Sequence, residues 1–593
     1  MRILAVSSAL LLAAWPPAFS ASPPAAPSFG EVMEVNVVSV DVYVTDKNGN
    51  RVTGLKGGDF AVFEDGKRVD VSNFAELSPP AAAREAPAAA PPPAEGTVAV
   101  DTQAPGADPE RRLSLVVFLD NLHLRPEHRT RAVEQIRKFL LQNVRAGDRV
   151  MLATYDVNLR TRHPLSDDRD SLDAALKDAE TLPSYGQQEE QARRTAFETV
   201  VNIYRTSGCS ADIITPVESY AQQTQTDALR TIGALRLTIS SLSGVPGRKA
   251  VLYVSDGVSI TPGEELFEAA ADLCDGKVAQ LGLMSPAVET KHGGDETAKY
   301  EPSQAALDAQ KYSVAKQFGD LAAHASADRV TFYTLQASGL QGNAAADVSY
   351  EASERLLQAG SIQQIQTSNL KGSLTALAVD TGGRAMLDAN DLAPELARMQ
   401  EDFESYYSLG YSLAHAGDGK VHHIEIKVKR PGLRVRYRQS YRDKPTLEKV
   451  ADRTFAALLH GIEDNPLDVA IDVRDIAPAD GGQYAVPVRL KIPLFKLAIL
   501  NREGTYQGKL RLLVATRDEA GGMSSMHQVQ VPLNIPRKEV LNALGQYYIY
   551  TLTLKMKPGL QHVAVAVRDE IAASTSYLTR PVNVNATAAA SNP

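Results

Sequence analysis

LSLVVFLDNLHL, from Leu113 to Leu124, is an apolar run that ends in Asp120 and leads into helical sequence. KAVLYVSDGVS, from Lys249 to Ser259, repeats the pattern and reaches its acid at Asp256. Short, nearly unbroken apolar runs of this length predict strands buried on both faces, as in a parallel sheet. Ligands of open α/β sheets sit beyond the carboxyl ends of such strands, which is where Asp120 and Asp256 fall.

Between and around the two runs, residues 113–390 alternate strand and helix patterns. Pro126 suits the first turn of a helix, and Val133, Ile136, Leu140 and Val144 then recur at helical spacing. RVMLATYD (Arg149 to Asp156) predicts the next strand, and Leu159 to Pro164 a short antiparallel edge piece. Helices follow over Leu172 to Ala179, Glu189 to Tyr204 and Thr226 to Leu242, before Gly244 to Gly247 stops the chain ahead of VLYVSDG. DRVTFYTL and TGGRAML add two more strand signals. Strands alternating with amphipathic helices predict a mostly parallel sheet covered on both faces.

This order of elements, with an acid after each of two strands, resembles the von Willebrand factor A domain. The resemblance covers nearly half the chain and implies a doubly wound α/β fold combined here with β-sandwich modules. It also implies a divalent metal held by an acid and two serines after the first strand, a threonine, and a later acid. On this chain the matching acids are Asp120 and Asp256, and the threonine is Thr226, with Thr224 competing. The two serine positions are Leu122 and Leu124, which have no ligand atom. Mg²⁺ needs hard oxygen donors, so the expectation is a degenerate metal motif and no cofactor. His123 and His128 flank the same turn, but their spacing matches no zinc pattern.

The flanks read as β. Val38, Val40, Val42 and Val44 alternate with polar residues, and Asn48-Gly49 and Asp65-Gly66 are hairpin signals. GLKGGDFAVFEDGKRVDVSNF resembles the β module that precedes A-type domains in a family of exported bacterial proteins best known from Acidobacteria. Residues 77–112 are a Pro/Ala-rich linker. After the A-like region (113–404, with insertions at 181–223 and 257–300), three strand patterns in 405–445 are expected to pair with the 31–76 module, since each β piece is small alone. The segments Leu409-Gly410-Tyr411 and Arg438-Gln439-Ser440-Tyr441 match the family's closing segments. His422-His423 falls in one of these strands, which points the two rings to opposite faces. Residues 465–585 predict an immunoglobulin- or fibronectin-like sandwich, and 586–593 a disordered tail.

Met1-Arg2, the apolar Ile3 to Trp15 and the small residues up to Ala21 predict a signal peptide over 1–21. The chain is therefore expected to be exported to the periplasm, cell surface or medium. No later run approaches the roughly 20 apolar residues of a spanning helix, so no transmembrane segment is expected in the mature chain. A net charge of −9 and the lack of a basic run exclude a nucleic-acid surface. Two cysteines in an exported chain, Cys209 and Cys274, are expected to form one disulfide across the insertions.

No nucleophile elbow, phosphate loop or HExxH motif is present, and acidic pairs such as Glu189-Glu190 read as solvated helix ends. The expected function is a non-enzymatic protein-binding or scaffold role, with Asn121, His123 and Arg125 on the binding edge and a protein as partner. Alternatives are a Mg²⁺-dependent adhesion module using Asp120, Thr226 and Asp256, and a hydrolase with an unrecognised site.

Overall fold

The computed structural model describes residues 37–77, 112–275, 300–340 and 360–584, apart from 146, 414, 416 and 520. The predicted signal peptide, nearly all of the linker, part of the second insertion (276–299) and the tail lie outside these residues.

Strands β1 (Val37–Thr45), β2 (Phe60–Glu64), β3 (Lys67–Val69) and β4 (Val71–Leu77) open the described chain. The α/β body then supplies β5 (Leu113–Asp120), β6 (Arg149–Tyr155), β7 (Leu159–Ser166), β8 (Arg248–Ser255), β9 (Val330–Gln336) and β10 (Ala385–Met386). Its helices are α1 (Pro126–Asn143), α2 (Arg169–Ala179), α3 (Gly186–Ser207), α4 (Thr215–Ser241), α5 (Glu264–Cys274), α6 (Pro302–Gln310), α7 (Ala315–Ala327), α8 (Gly360–Asp380) and α9 (Ala393–Glu404). Strands β11 (Tyr406–Ser412), β12 (Val421–Val428), β13 (Arg434–Arg436) and β14 (Ser440–Arg442) follow, then α10 (Thr446–His460).

The central sheet runs β10-β9-β8-β5-β6-β7, parallel except for the antiparallel edge strand β7. Every residue of β5 and β8 is buried, which is why their centres, Leu115 to Leu119 and Ala250 to Val254, read as apolar runs. Leu115, Val117 and Leu119 pack under α1, α2 and α9, while Val116 and Phe118 meet α4, α7 and α8 on the other face. On α1 the buried residues Ala132, Val133, Ile136 and Leu140 lie three to four apart, the spacing of one helix face. Full burial of side chains of this size contributes about 1.5–3 kcal/mol each.

Two four-stranded sheets, β13-β1-β11-β4 and β14-β12-β2-β3, enclose a second core. Strand β1 pairs antiparallel with β11, Val40 opposite Leu409, although the two are separated by the whole α/β body. Their inner residues Val38, Val40, Val42 and Val44 are buried, as period-two alternation requires. Tyr43 is buried too, on the opposite face: Arg248 of the α/β body and Arg436 of β13 lie over its ring at 5.5 and 4.1 Å. Beside it the fully buried Asp402 of α9 forms ion pairs with Arg51, Arg384 and Arg436. This network joins the foot of the parallel sheet to the β module.

The sequence reading assigns no element to 446–464, yet α10 occupies most of that stretch. Val450 and Ala457 pack on Leu513, Ala566 and Tyr577 of a C-terminal β-sandwich, and Asp452 accepts a hydrogen bond from Ser240 at the end of α4. The helix thus bridges the α/β body and the sandwich. The missed signal is the helical spacing of Val450, Ala457 and Leu458, closed by Gly461 in the left-handed conformation. The sandwich sheets are built on Tyr484–Pro493 with Tyr547–Met556, and on Thr505–Asp518 with Gly559–Asp569 and Thr575–Val584. No helix of the described residues is long and apolar enough to cross a membrane.

Candidate functional site

Asp120 closes β5 and Asp256 follows β8, the strand beside it, so the parallel register brings the two acids together at the carboxyl end of the sheet. Both carboxylates are engaged by histidines. His123 Nδ1 lies 2.9 Å from Asp120 Oδ2, which also accepts hydrogen bonds from Tyr253 (2.6 Å) and Ser255 (3.1 Å). His128 Nδ1 lies 2.7 Å from Asp256 Oδ2, which also accepts the Arg125 backbone N–H at 3.1 Å. That N–H precedes Pro126 at the start of α1, where the helix dipole favours negative charge.

Burial acts to lower the pKa of His123, but the adjacent Asp120 carboxylate, its hydrogen bond, and Glu189 and Asp227 farther off outweigh it. The imidazole is pushed up to about 9. His123 is thus a fixed internal cation on Asp120.

The insertions form a helical cap over this turn. Tyr185 and Gly186 donate backbone hydrogen bonds to the carbonyls of Asn121 (2.8 Å) and Leu124 (3.0 Å). Contact is so close that a Cβ at Gly186 would sit 2.5 Å from the His123 carbonyl oxygen. Helix α3, the first turns of α4, α5 and α6 then share one apolar core through Phe197, Val200, Val217, Leu266, Phe267 and Ala305. Cys209 and Cys274 form a disulfide across the cap, with Cα atoms 5.6 Å apart and a sequence separation of 65. A crosslink over that span constrains the unfolded chain, typically by about 2–4 kcal/mol. Reduction is expected to lower the melting temperature, with faster amide exchange concentrated in 186–274. An unchanged melting temperature would show that the cap is held without the bridge.

Asn121 and His123, expected on an open binding edge, are therefore buried, at 2% and 4% exposure; the side chain of Arg125 alone remains substantially accessible. The Thr226 hydroxyl donates to the Gln222 carbonyl of its own helix at 2.9 Å, while Thr224 lies with His123 beside the groove described below. Glu189 and Glu190 are not solvated helix ends. Glu190 accepts hydrogen bonds from Arg193 (2.8 Å) and Arg194 (3.0 Å); burial tends to raise its pKa, but the two arginines hold it down at about 2. Glu189 and Glu265 are pushed above the usual carboxylate range by burial. With Arg125, Arg193 and Asp256 these acids line a chamber of about 60 Å³, room for a water or two.

Two open spaces thus meet at His123. One is this small charged chamber. The other is a groove of about 580 Å³ between α3 and α4, lined by Leu122, Tyr185, Ala192, Pro216 and Tyr220 with Glu189 and Asp227. No Lys or Arg lines the groove.

A magnesium ion fits this donor set poorly. Asp120 and Asp256 each keep one buried oxygen, Oδ1, without a hydrogen bond, but their other oxygens are held by imidazoles. Leu124 is fully buried in the core on one face of the sheet, and Leu122 packs against the core on the other. Mg²⁺ demands near-octahedral oxygen coordination, which the Oδ1 atoms of Asp120 and Asp256 alone do not supply.

No protein-family model matches the chain, and no curated protein matches it. Among solved structures, the von Willebrand factor domain of the type V pili tip protein Mfa5 from Porphyromonas gingivalis is similar at 12% identity. That match covers 49% of this chain and 94% of that one, with a TM-score of 0.20. A structure of three N-terminal domains of the same protein is similar at 10% identity over 77% of this chain and 75% of that one, also at 0.20. At such scores the likeness carries no weight for the fold, which rests on its own strand order and register.

Proposed function

We propose that this chain is an exported, non-enzymatic protein-binding or scaffold protein built around an A-type domain whose metal cup is filled by histidines. The A-type reading is supported by the sheet order, the antiparallel edge strand β7, and the two acids at the ends of adjacent strands. Export is supported by the N-terminal sequence and by the disulfide, which persists in oxidising compartments.

The observation that carries the binding role is the groove between α3 and α4. Its apolar walls suit a partner's apolar side chain, and Asp227 in its lining, which Arg230 contacts at 3.3 Å, suits an adjacent basic residue. The partner is thus a protein segment carrying an apolar anchor next to Lys or Arg. Ala192 is exposed on the groove wall, so Ala192→Arg is expected to leave the melting temperature unchanged and to abolish capture of that partner from the native envelope. Equal capture by wild type and Ala192→Arg would overturn the groove as the binding surface.

The unpartnered Oδ1 atoms of Asp120 and Asp256 favour one alternative, a Mg²⁺-dependent adhesion module. Calorimetric titration with Mg²⁺ and Mn²⁺ separates the two. A saturable isotherm lost in Asp256→Ala would replace the metal-free reading. Turnover of chromogenic ester, peptide or glycoside substrates by the purified chain would overturn the non-enzymatic part.

A further inference from the structure

One long edge of the C-terminal sandwich is left open among the described residues. Strand Tyr547–Met556 pairs antiparallel with Tyr484–Pro493 along its whole length, from Tyr547 opposite Pro493 to Met556 opposite Tyr484. The other strands of that sheet, Ala470–Val473 and Ala477–Pro478, pair with residues of Tyr484–Pro493 that also face Tyr547–Met556, so they lie on its opposite side. No described strand pairs with the far side of Tyr547–Met556.

The phase of the pairing says which backbone groups are free. Opposite residues of an antiparallel pair alternate between exchanging both hydrogen bonds and exchanging none. Pro487 and Pro493 have no N–H, so their partners Thr553 and Tyr547 belong to the set that exchanges none. The Leu494 N–H donates to the Gln546 carbonyl at 3.0 Å, which fixes the same phase from the bonded set. The N–H and C=O groups of Tyr547, Ile549, Thr551, Thr553 and Lys555 therefore point to the open edge. The side chains of these residues are exposed as well, Tyr547 at 60% and Ile549 at 56%.

The other long edges of the sandwich are protected. Strand His527–Pro536 pairs only with Thr505–Asp518 and contains Pro532 and Pro536. Strand Thr575–Val584 pairs with Gly559–Asp569, meets Asp464 in a single bridge, and contains Pro581. A proline in an edge strand turns its nitrogen to the open side and removes a donor that a further strand would need. Tyr547–Met556 has no proline, no shift of register, and one charged side chain, Lys555. An edge of this kind is a template for another strand.

Its sequence fits itself. Antiparallel pairing about a two-fold axis through Thr551 overlaps the strand completely, whereas any other register leaves one end unpaired. It sets Thr551 opposite Thr551 of the partner subunit, Ile549 opposite Thr553 of the partner subunit and Tyr547 opposite Lys555 of the partner subunit. Threonine then meets threonine, and the one charge meets an aromatic ring rather than its like. All the outward residues exchange both backbone bonds, about ten in all. On the inner face Tyr548, Tyr550 and Leu554, only partly buried at this edge, gain cover.

We propose that Tyr547–Met556 is a dimer interface that joins two copies of the chain into one continuous sheet across Thr551. The same edge serves both copies, so the contact closes at two.

The test is sedimentation of the full chain over a concentration series. A monomer–dimer equilibrium with no larger species is expected. Thr551→Pro removes the two central hydrogen bonds and is expected to weaken dimerisation by ~30-fold or more. Its N–H points away from Tyr484–Pro493, so the melting temperature of the dilute monomer is expected to stay unchanged. Tyr547→Lys places lysines opposite one another and is expected to dissociate the dimer, and adding Lys555→Glu is expected to restore it, a rescue specific to this register. A wild-type chain that stays monomeric, whether its edge is empty or takes another protein's strand, would overturn the interface. So would a dimer that persists in Thr551→Pro, or a loss in Tyr547→Lys that Lys555→Glu does not reverse.

Discussion

Asp402→Ala is expected to destabilise the protein by about 3–5 kcal/mol, the range for stranding a buried charge by removing its partner. Asp402 has no exposed surface and is the shared counter-ion of Arg51, Arg384 and Arg436. It also accepts the Tyr333 hydroxyl at 3.3 Å, and its backbone carbonyl accepts a hydrogen bond from Arg248. Burial, with the neighbouring guanidiniums of Arg436 and Arg384, already depresses Arg51 to about 10. Removing the carboxylate leaves these cations repelling one another with nothing between them. Urea denaturation followed by fluorescence measures the loss, and Asp402→Asn, which keeps two polar contacts but no charge, should fall between wild type and alanine. A loss below about 1 kcal/mol, the size of a surface ion pair, would show that water reaches the cluster.

Asp120→Ala is expected to have a comparable effect at neutral pH, about 3–5 kcal/mol. It removes the partner of a buried histidine and the acceptor of Tyr253 and Ser255 at once. The pH dependence identifies the cause. His123 is raised from 6.5 to about 9 in the folded protein. Its contribution is therefore complete below about pH 6.5 and is lost as pH rises through about 9. The linkage amounts to about 3 kcal/mol. Asp120→Ala should flatten this alkaline decline, and so should His123→Leu. Because a buried ion pair replaced as a unit by apolar groups is often neutral, the double variant Asp120→Ala/His123→Leu should recover part of the loss seen in Asp120→Ala. An alkaline decline that survives in both single variants would show that His123 is not the internal cation.

Much of the fold is legible in the chain because its signals are local. The buried centres of β5 and β8, Leu115 to Leu119 and Ala250 to Val254, read as apolar runs, and the valines of β1 alternate because only one face enters the sandwich core. The α1 face is written at three- and four-residue spacing. Helix α10 is local too, and its apolar spacing and terminal glycine were there to be read. The candidate site is legible only as positions. Asp120 and Asp256 can be placed at strand ends from sequence, and the leucines at 122 and 124 argue against a conventional metal cup. That His123 and His128 take over those carboxylates depends on the conformation of one turn, which spacing does not encode. Glu189 and Glu190 look like any solvated helix start, and only the packing of α3 over the 121–124 turn turns them inward.

The same division holds for the histidines of the β module. Period-two alternation correctly separates the two rings of His422-His423: His422 is buried and His423 exposed. It says nothing of His415 or Glu64, which reach His422 only through the pairing of β2 with β12 and the return of the loop before it. Sequence alone determined most of the strands and helices, the placing of Asp120 and Asp256 at strand ends, and the apolar character of positions 122 and 124. Tertiary structure decided which side chains engage Asp120 and Asp256, where the open groove is, and which charges face one another. The reason is physical: secondary structure follows from side-chain patterns within a few residues, whereas charge clusters such as Asp402 with Arg51 join groups hundreds of residues apart. Their energies depend on burial and on distances of about 3 Å.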